Sequence, residues 1–499
     1  MTQTADTTTT GQGFVAPDQR KFVLIAAILA SSMGFIDGSV LSIAIPAMRS
    51  NLGATLADAQ WVSNGYMLFL ASLILLGGAA GDRFGLRNTF SFGIVLFVLA
   101  SVASSLAPTP ILLIGARAIQ GIGAAFMVPG SLAIIAKAYP KEERGKAIGV
   151  WASAASLTSI LGPVIGGFVL SSFGDWSWRL IFAVNLPLGA GALALLWFKV
   201  PTDPVSAGRR LDIVGAILAS LALMLIAFGL SNDSGDSTPL ASHLLLYCGG
   251  GLVCAALFLL WEARTKTPML PLRLFGKLGF SGANALTFVL YFSLSGVMFF
   301  LPMTMIAGWG VSPAMVAFSF LPLGVLLTVL SSFSGKWADR FGAGPLIAAG
   351  AVLVALAFAG LGFTAPWQSV WFGVLPCIVL LGLGMGLVVS PLSTAVMTSV
   401  DDADTGIASG VNNAVSRVAG LVAVALMGAV VASVFEQALG TAAELPIFFG
   451  LPGDPALGTE AEALRVHATD LAFGTVAYIT AVLALISAGI AWVTLERKF

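Results

Sequence analysis

Apolar residues fall along this chain in long blocks separated by short polar stretches. Fourteen blocks stand out, at roughly 22–48, 58–80, 89–107, 110–136, 146–170, 179–200, 212–231, 243–261, 279–306, 312–335, 345–364, 370–395, 406–434 and 470–494. A helix needs about 20 apolar residues to cross a hydrocarbon core about 30 Å thick, and the blocks are of that order or longer. Strand-like alternation is weak inside them, which favours helices over a β-barrel. The pattern predicts an all-α polytopic membrane protein with 14 transmembrane helices. Residues 1–21 read as a disordered cytoplasmic tail, because MTQTADTTTTGQGFVAPDQ is polar and has no basic region before an apolar core.

Composition points the same way. The 499 residues are 58% hydrophobic and 10% charged, against about 25% charged in an average soluble domain. So few charges cannot cover a water-exposed surface, so a soluble globule is excluded. The net charge is zero and there is no basic cluster, which argues against a nucleic-acid partner. Cys248, Cys254 and Cys377 all lie in apolar runs, so neither a disulfide framework nor a metal site is expected. No GxSxG, HExxH or P-loop string is present, so enzyme chemistry, ATP-driven transport by this chain and resident cofactors are not expected.

The charges also orient the spans. With the N-terminus inside, the inner segments hold 19 of the 24 Lys and Arg residues, and the outer segments hold Arg49, Arg179 and Arg465. That bias obeys the positive-inside rule and puts both termini in the cytoplasm of a cell (inner) membrane. One inner loop breaks the trend: Asp401, Asp402 and Asp404 have no base beside them in sequence.

The chain repeats itself. GAAGDRFGLR at Gly78–Arg87 is similar to GKWADRFGAG at Gly335–Gly344, with Asp82 matching Asp339 and Arg83 matching Arg340. GIGAAFMVPG from Gly121 is similar to GLGMGLVVSP from Gly382. The expected organisation is an N-terminal six-helix half over 22–200, an inserted helix pair with its loops over 201–278, and a C-terminal six-helix half over 279–499. Repeats of this kind place a substrate site near the midplane, between halves that rock against each other.

At this point the sequence resembles the major facilitator superfamily, specifically its fourteen-helix drug:proton antiporter branch. The GxxxDRxGxR string at Gly78, Asp82, Arg83, Gly85 and Arg87 looks like motif A, RAIQGIG at Arg117–Gly123 like motif B, and GPVIGG at Gly162–Gly167 like motif C. IDGSVLSIAIP at Ile36–Pro46 and WRLIFAVNLPLG at Trp178–Gly189 are similar to two strings of the branch. Ser42 stands where the first of these usually has Asn, and Thr158 where motif C has a further glycine. The resemblance implies the major facilitator fold and efflux of lipophilic drugs or toxic compounds in exchange for protons. An exporter of one specific metabolite is the alternative on the same fold. Lipid, protons and a small lipophilic substrate are the implied partners, and no oligomer is implied.

Each motif has a physical reading. Asp82 sits at the inner end of span two, where its own helix dipole disfavours a carboxylate and another helix N-terminus would welcome it. The resemblance places that partner at the start of span thirteen, near Gly406. Asp82, Arg83 and Arg87 then read as an inner gate, and the rival is a plain topology loop. Gly162, Pro163, Gly166 and Gly167 make a flat, close-packing helix that serves as a pivot or simply as a packing face. The resemblance implies that they favour antiport.

Charge inside the spans is the scarcest feature. Asp37, Arg117 and Arg417 are the charged residues well inside the blocks, and a charge at the bilayer centre costs at least about 2.5–3.5 kcal/mol. Arginine keeps its proton, so Asp37 is the expected carrier of the coupled proton, with Arg117 able to favour its charged form. A fixed Asp37–Arg117 strut is the other reading. Arg417 fits either a structural role or contact with an anionic substrate group. Trp61, Tyr66, Gln120, Phe126, Trp151 and Tyr291 are the candidate cavity wall, since aromatic, adaptable walls suit bulky apolar ligands. One interior minus against two plus predicts poor handling of dications.

Overall fold

A computed structural model of the chain describes residues 14–203, 211–231, 240–401, 404–440, 446–453 and 458–495. Most of the N-terminal tail, the inner bases Arg209, Arg210, Arg497 and Lys498, and the acids Asp402, Glu444 and Asp454 lie outside them.

Fourteen helices among the described residues are long and apolar enough to cross a membrane. The first half holds α1 (Arg20–Leu52), α2 (Leu56–Phe84), α3 (Leu86–Leu106), α4 (Pro110–Ala138), α5 (Glu142–Phe173) and α6 (Asp175–Lys199). The inserted pair is α7 (Ile213–Leu230) and α8 (Ser242–Arg264). The second half holds α9 (Leu278–Gly308), α10 (Pro313–Phe341), α11 (Ala343–Trp367), α12 (Val370–Thr398), α13 (Thr405–Leu439) and α14 (Gly458–Thr494). The chain is therefore a multi-pass membrane protein. The expected fourteenth span began at residue 470, but α14 starts at Gly458. Its first turns are polar and run beyond the apolar core, where hydropathy does not register them.

Helix pairings recur with a shift of eight. In the first half α1 packs on α5, α2 on α4, and α3 on α4 and α6. In the second half α9 packs on α13, α10 on α12, and α11 on α12 and α14. Small residues let these backbones meet, as membrane helices require. A Cβ on Gly93 would stand 2.9 Å from the Gly123 carbonyl oxygen, and one on Gly350 would stand 2.6 Å from that of Gly384. The same pair of glycines thus makes the same crossing in each half.

The halves meet where α5 ends and α10 begins. Ser171 Oγ at the end of α5 accepts from the backbone N–H of Ala314 on α10 at 3.0 Å. Gly167 lies so close to α10 that a Cβ there would stand 2.6 Å from the Pro313 carbonyl oxygen. At the other seam α2 runs along α13, and α7 packs against both. Leu68 of α2, Ala227 of α7 and Leu421 of α13 close into one small apolar cluster there. The hydroxyl of Ser220 on α7 donates to Ser72 on α2 at 2.9 Å, so the inserted pair is fastened to the first half. α8 is the outermost helix, with Leu245, Leu246 and Leu252 more than half exposed for lipid contact.

Candidate functional site

Asp37 lies midway along α1 and Arg117 about two turns into α4, and the two helices bring them together in the first half. Arg117 Nη1 donates to Asp37 Oδ1 at 2.8 Å and to Oδ2 at 2.7 Å. The same nitrogen donates to Gln120 Oε1 at 2.6 Å, and Nε donates to the Val62 carbonyl at 3.0 Å. Gln120 Nε2 donates to Asp37 Oδ1 at 3.2 Å and to Ser101 Oγ at 2.8 Å. The guanidinium carbon stands 4.4 Å above the Tyr66 ring and 5.6 Å from that of Phe182. Asp37 and Arg117 are each 1% exposed and Gln120 is fully buried. Charge-assisted bonds in a dry surround are strong.

Sequence reasoning missed the outer layer of this network. Asn185 Nδ2 donates to Ser101 Oγ at 3.0 Å, so Ser101 receives two amide donors. Trp178 is fully buried and its Nε1 donates to Asn51 at 3.1 Å. The string WRLIFAVNLPLG therefore supplies Phe182 and Asn185 to the site. Its position directly after a span boundary was the available signal.

The candidate wall residues separate. Tyr66 and Gln120 join the Asp37–Arg117 cluster. Trp61 instead packs on Phe228 of α7, with ring centroids 6.1 Å apart. Phe126 packs edge-on to Phe92 of α3, which is 53% exposed on the outside of the bundle. Neither reaches the Asp37 site, because residue type does not report which face of a helix it occupies. Trp151 Nε1 donates to Ser31 Oγ at 2.9 Å, closing α5 on α1. Arg417 is half-buried on α13 and its Nε has no hydrogen-bond partner. Tyr291 is half-buried on α9, which packs on α13.

Motif C faces two ways. A Cβ on Gly166 would stand 2.3 Å from Val40 of α1, while Gly167 faces α10. The glycine surface of α5 thus lies against α1 of its own half and α10 of the other. Motif A turns at Gly85, whose φ of +90° suits glycine. Asp82, Arg83 and Arg340 are exposed at the inner surface, with Asp339 near the matching turn, and the two arginines lie over the neighbouring Phe84 and Phe341 rings. Gly78 has open space around it.

A second clasp holds motif A. Asp203, just after α6, accepts from the backbone N–H groups of Leu86 at 2.8 Å and Arg87 at 3.0 Å, and from Lys137 Nζ at 2.8 Å. In return Arg87 Nε donates to the Leu196 carbonyl at 2.9 Å and Nη2 to that of Trp197 at 3.2 Å. An acid thus caps the start of α3 and a base caps the end of α6, each matched to a helix dipole. Burial pushes the Asp203 carboxyl up, but the hydrogen bonds from Lys137 and the Arg87 and Leu86 amides outweigh it and hold it below its ordinary value. The clasp is therefore complete at neutral pH and weakens only on acidification below the usual carboxylate range. Asp203→Ala is expected to cost about 1.5–3 kcal/mol for the charged bonds lost, read as a lower thermal midpoint of the purified protein, and to slow transport.

The charge inventory also changes. Arg49 and Arg465, expected in outer loops, are buried at 2% and 3% exposure within α1 and α14. Asp470 on α14 accepts from Trp309 Nε1 at 2.6 Å and Gln368 Nε2 at 2.9 Å. Glu262 is 3% exposed on α8. Arg49 and Glu262 sit near helix ends, and Arg465 and Asp470 lie about two and three turns into α14. The acidic inner loop does have bases: Arg273 pairs with Asp404 at 2.7 Å and Lys277 with Asp401 at 3.1 Å. They come from the linker before α9, more than a hundred residues away in sequence.

Arg49 ties the outer side together. Its Nη1 donates to the Phe449 carbonyl and its Nε to that of Ala54 at 3.2 Å. Arg465 Nη1 donates to the Leu451 carbonyl at 3.1 Å. The Phe449 ring lies between Phe300 and Phe435, at 6.1 and 5.8 Å. The segment 446–453 is thereby strapped across the outer end, from α1 of one half to α14 of the other.

Known proteins share this plan. The chain is 33% identical over 416 residues to the methylenomycin A resistance protein of Bacillus subtilis, covering 82% of this chain and 87% of that one. It is 30% identical to a probable actinorhodin transporter of Streptomyces coelicolor, over 91% of this chain and 77% of the other. A multidrug resistance protein B homolog of Mycobacterium tuberculosis is 31% identical over 82% of this chain and 76% of its own. Among solved structures, a bacterial homolog of the human lysosomal transporter Spinster, inward-facing and unoccupied, superposes with a TM-score of 0.70 at 18% identity, over 96% and 97% of the two chains. A D-xylose-proton symporter gives 0.64 at 17%, over 96% and 98%. At these identities the structures speak for the fold alone. Residues 27–424 match the family described as Major Facilitator Superfamily, and the chain belongs to that superfamily.

Proposed function

We propose that this chain is a proton-coupled exporter of lipophilic drugs and toxic compounds in the cell (inner) membrane, with both termini in the cytoplasm. The observation that carries the reading is the buried Asp37 carboxylate held by Arg117 and Gln120. In this conformation Asp37 is closed off by Arg117 and Gln120. Rocking of 22–200 against 279–499 withdraws Arg117 and frees Asp37 to carry the coupled proton. Exchange of the proton for substrate around this group is antiport. The glycine face of α5 serves as the pivot. Gly78, Asp82, Arg83, Gly85 and Arg87 serve as an inner gate, with Asp339 and Arg340 as their counterparts. Tyr66, Trp151, Tyr291 and Arg417 line the substrate path, and dications are poor substrates.

The named relatives support export of small toxic molecules. Two of them, a probable actinorhodin transporter and a tetracenomycin C resistance and export protein, favour a second reading in which one compound is exported. Susceptibility profiling of a deletion strain separates broad from narrow. Reconstitution into liposomes tests the coupling: an imposed pH gradient is expected to drive accumulation of a lipophilic dye, and a protonophore to abolish it. Accumulation that persists after the gradient collapses would falsify the antiport.

A further inference from the structure

The inner end of the inserted pair holds two carboxyl groups that the transport mechanism does not use. Asp212, at the N-cap of α7, is 8% exposed, and Glu262, near the end of α8, is 3% exposed. Each has one satisfied oxygen. Asp212 Oδ1 accepts from the Gly215 backbone N–H and from Trp261 Nε1, both at 2.8 Å. Glu262 Oε2 accepts from the Leu270 backbone N–H at 3.0 Å. The other two oxygens, Asp212 Oδ2 and Glu262 Oε1, are buried and have no hydrogen-bond partner. They converge on one spot: a Cβ on Gly215 would stand 2.8 Å from the first and 2.7 Å from the second.

Two carboxylates cannot both stay ionised side by side in a dry setting without a cation. The charged groups at the inner ends of the packed elements are Arg264 at the end of α8 and Lys266 beyond it, Asp82 and Arg83 on α2, and the Arg273–Asp404 pair at the start of α13. Among the described residues no Lys or Arg forms an ion pair with Asp212 or Glu262. Arg209 and Arg210 lie outside those residues. A single proton between the two orphan oxygens satisfies both at once, as donor on one and acceptor on the other.

We propose that Asp212 and Glu262 together bind one proton, Oδ2···H···Oε1, and that this proton clips the linker of the second half to the inserted pair. The linker is held at Leu270 by Glu262 and at Arg273 by Asp404. Loss of the proton sets two negative charges against each other beneath it. The clip is closed in acid and loosens as the cytoplasm turns alkaline, independently of Asp37.

Infrared spectroscopy and thermal unfolding of the purified full-length protein test this. Wild type is expected to show a protonated-carboxyl C=O band at neutral pH that is missing in Glu262→Gln. Folded protein holds a proton that unfolded chain releases, so stability falls as pH rises. The wild-type midpoint should drop by about 2–4 °C from mildly acidic to mildly alkaline buffer. Glu262→Gln, whose amide donates to Asp212 Oδ2 as the proton does, should be flat over that interval and should transport normally. Should that variant fail to fold, Asp212→Asn serves, since it keeps Oδ1 for Gly215 and Trp261 and donates to Glu262. A midpoint that rises with Na+, K+ or Ca2+ in wild type alone would assign the site to a cation and overturn the proposal. Identical infrared bands, with Glu262→Gln as unstable as Glu262→Ala, would overturn it too.

Discussion

Replacing Asp37 by asparagine is expected to abolish gradient-driven export and to destabilise the first half by about 3–5 kcal/mol, the usual cost of removing one partner of a buried ion pair. The cost is large because Arg117 is left buried without its counter-ion. Its Nη1 is committed to Asp37 and Gln120, and its Nε to the Val62 carbonyl. A single variant does not separate a proton carrier from a strut, since either role predicts failure. The double variant Asp37→Asn with Arg117→Gln does. It leaves two neutral amides facing each other with Gln120 beside them, so most of the lost stability should return. If Asp37 carries the proton, the refolded double variant still moves no substrate against a gradient, while downhill movement of substrate survives. If gradient-driven export returns with stability, Asp37 is only a strut. Thermal unfolding and liposome transport measured on the same preparations decide between them.

Arg49→Ala is expected to open the outer side. Arg49 is almost fully buried and bridges Ala54 of its own half to Phe449 in the strap of the other. A hydrogen bond from a charged donor contributes about 1.5–3 kcal/mol, so losing the cross-half bond should raise the outward-open population about 10–100-fold. Gly450 offers a second route to the same end. Its φ is +74°, and a Cβ there would stand 2.7 Å from Arg49 Nη1, so Gly450→Ala both strains the turn and displaces the guanidinium. The measurement is labelling of Ile447→Cys by a membrane-impermeant thiol reagent, in a chain lacking Cys248, Cys254 and Cys377. Ile447 is 7% exposed as the strap stands. Unchanged labelling in both variants would show that the strap is ornament rather than gate.

How much of this was readable beforehand follows from what a bilayer enforces. Insertion demands long apolar runs, so the helices stand out in the sequence. It also penalises buried charge, so Asp37 and Arg117 were conspicuous on opposite sides of an 80-residue gap. Other groups looked ordinary because they sit at helix ends. Asp203, Asp212 and Glu262 resemble the loop acids of any membrane protein until the fold buries them. Arg49 and Arg465 were read as outer-loop bases because polar helix turns beyond the membrane carry no hydropathy signal. Trp61 and Phe126 pack on Phe228 and Phe92 rather than beside Asp37, and the sequence could not show it, because an aromatic residue suits a cavity, a lipid face or a helix contact equally well. Asp401 and Asp404 seemed to lack bases because sequence proximity is a poor guide to pairing across a linker.

The placement of α7 has a consequence for molecules dissolved in the lipid. Two flanks separate the halves of such a bundle. On one, Leu68, Ala227 and Leu421 plug the gap and α8 backs the plug with greasy side chains. On the other, between α5 and α10, no extra helix intervenes, and Leu157, Leu161 and Phe318 face outward. The two flanks therefore offer a lipid-dissolved molecule unlike surfaces: a three-helix seal on one, and on the other a direct contact of α5 with α10 edged by exposed apolar side chains.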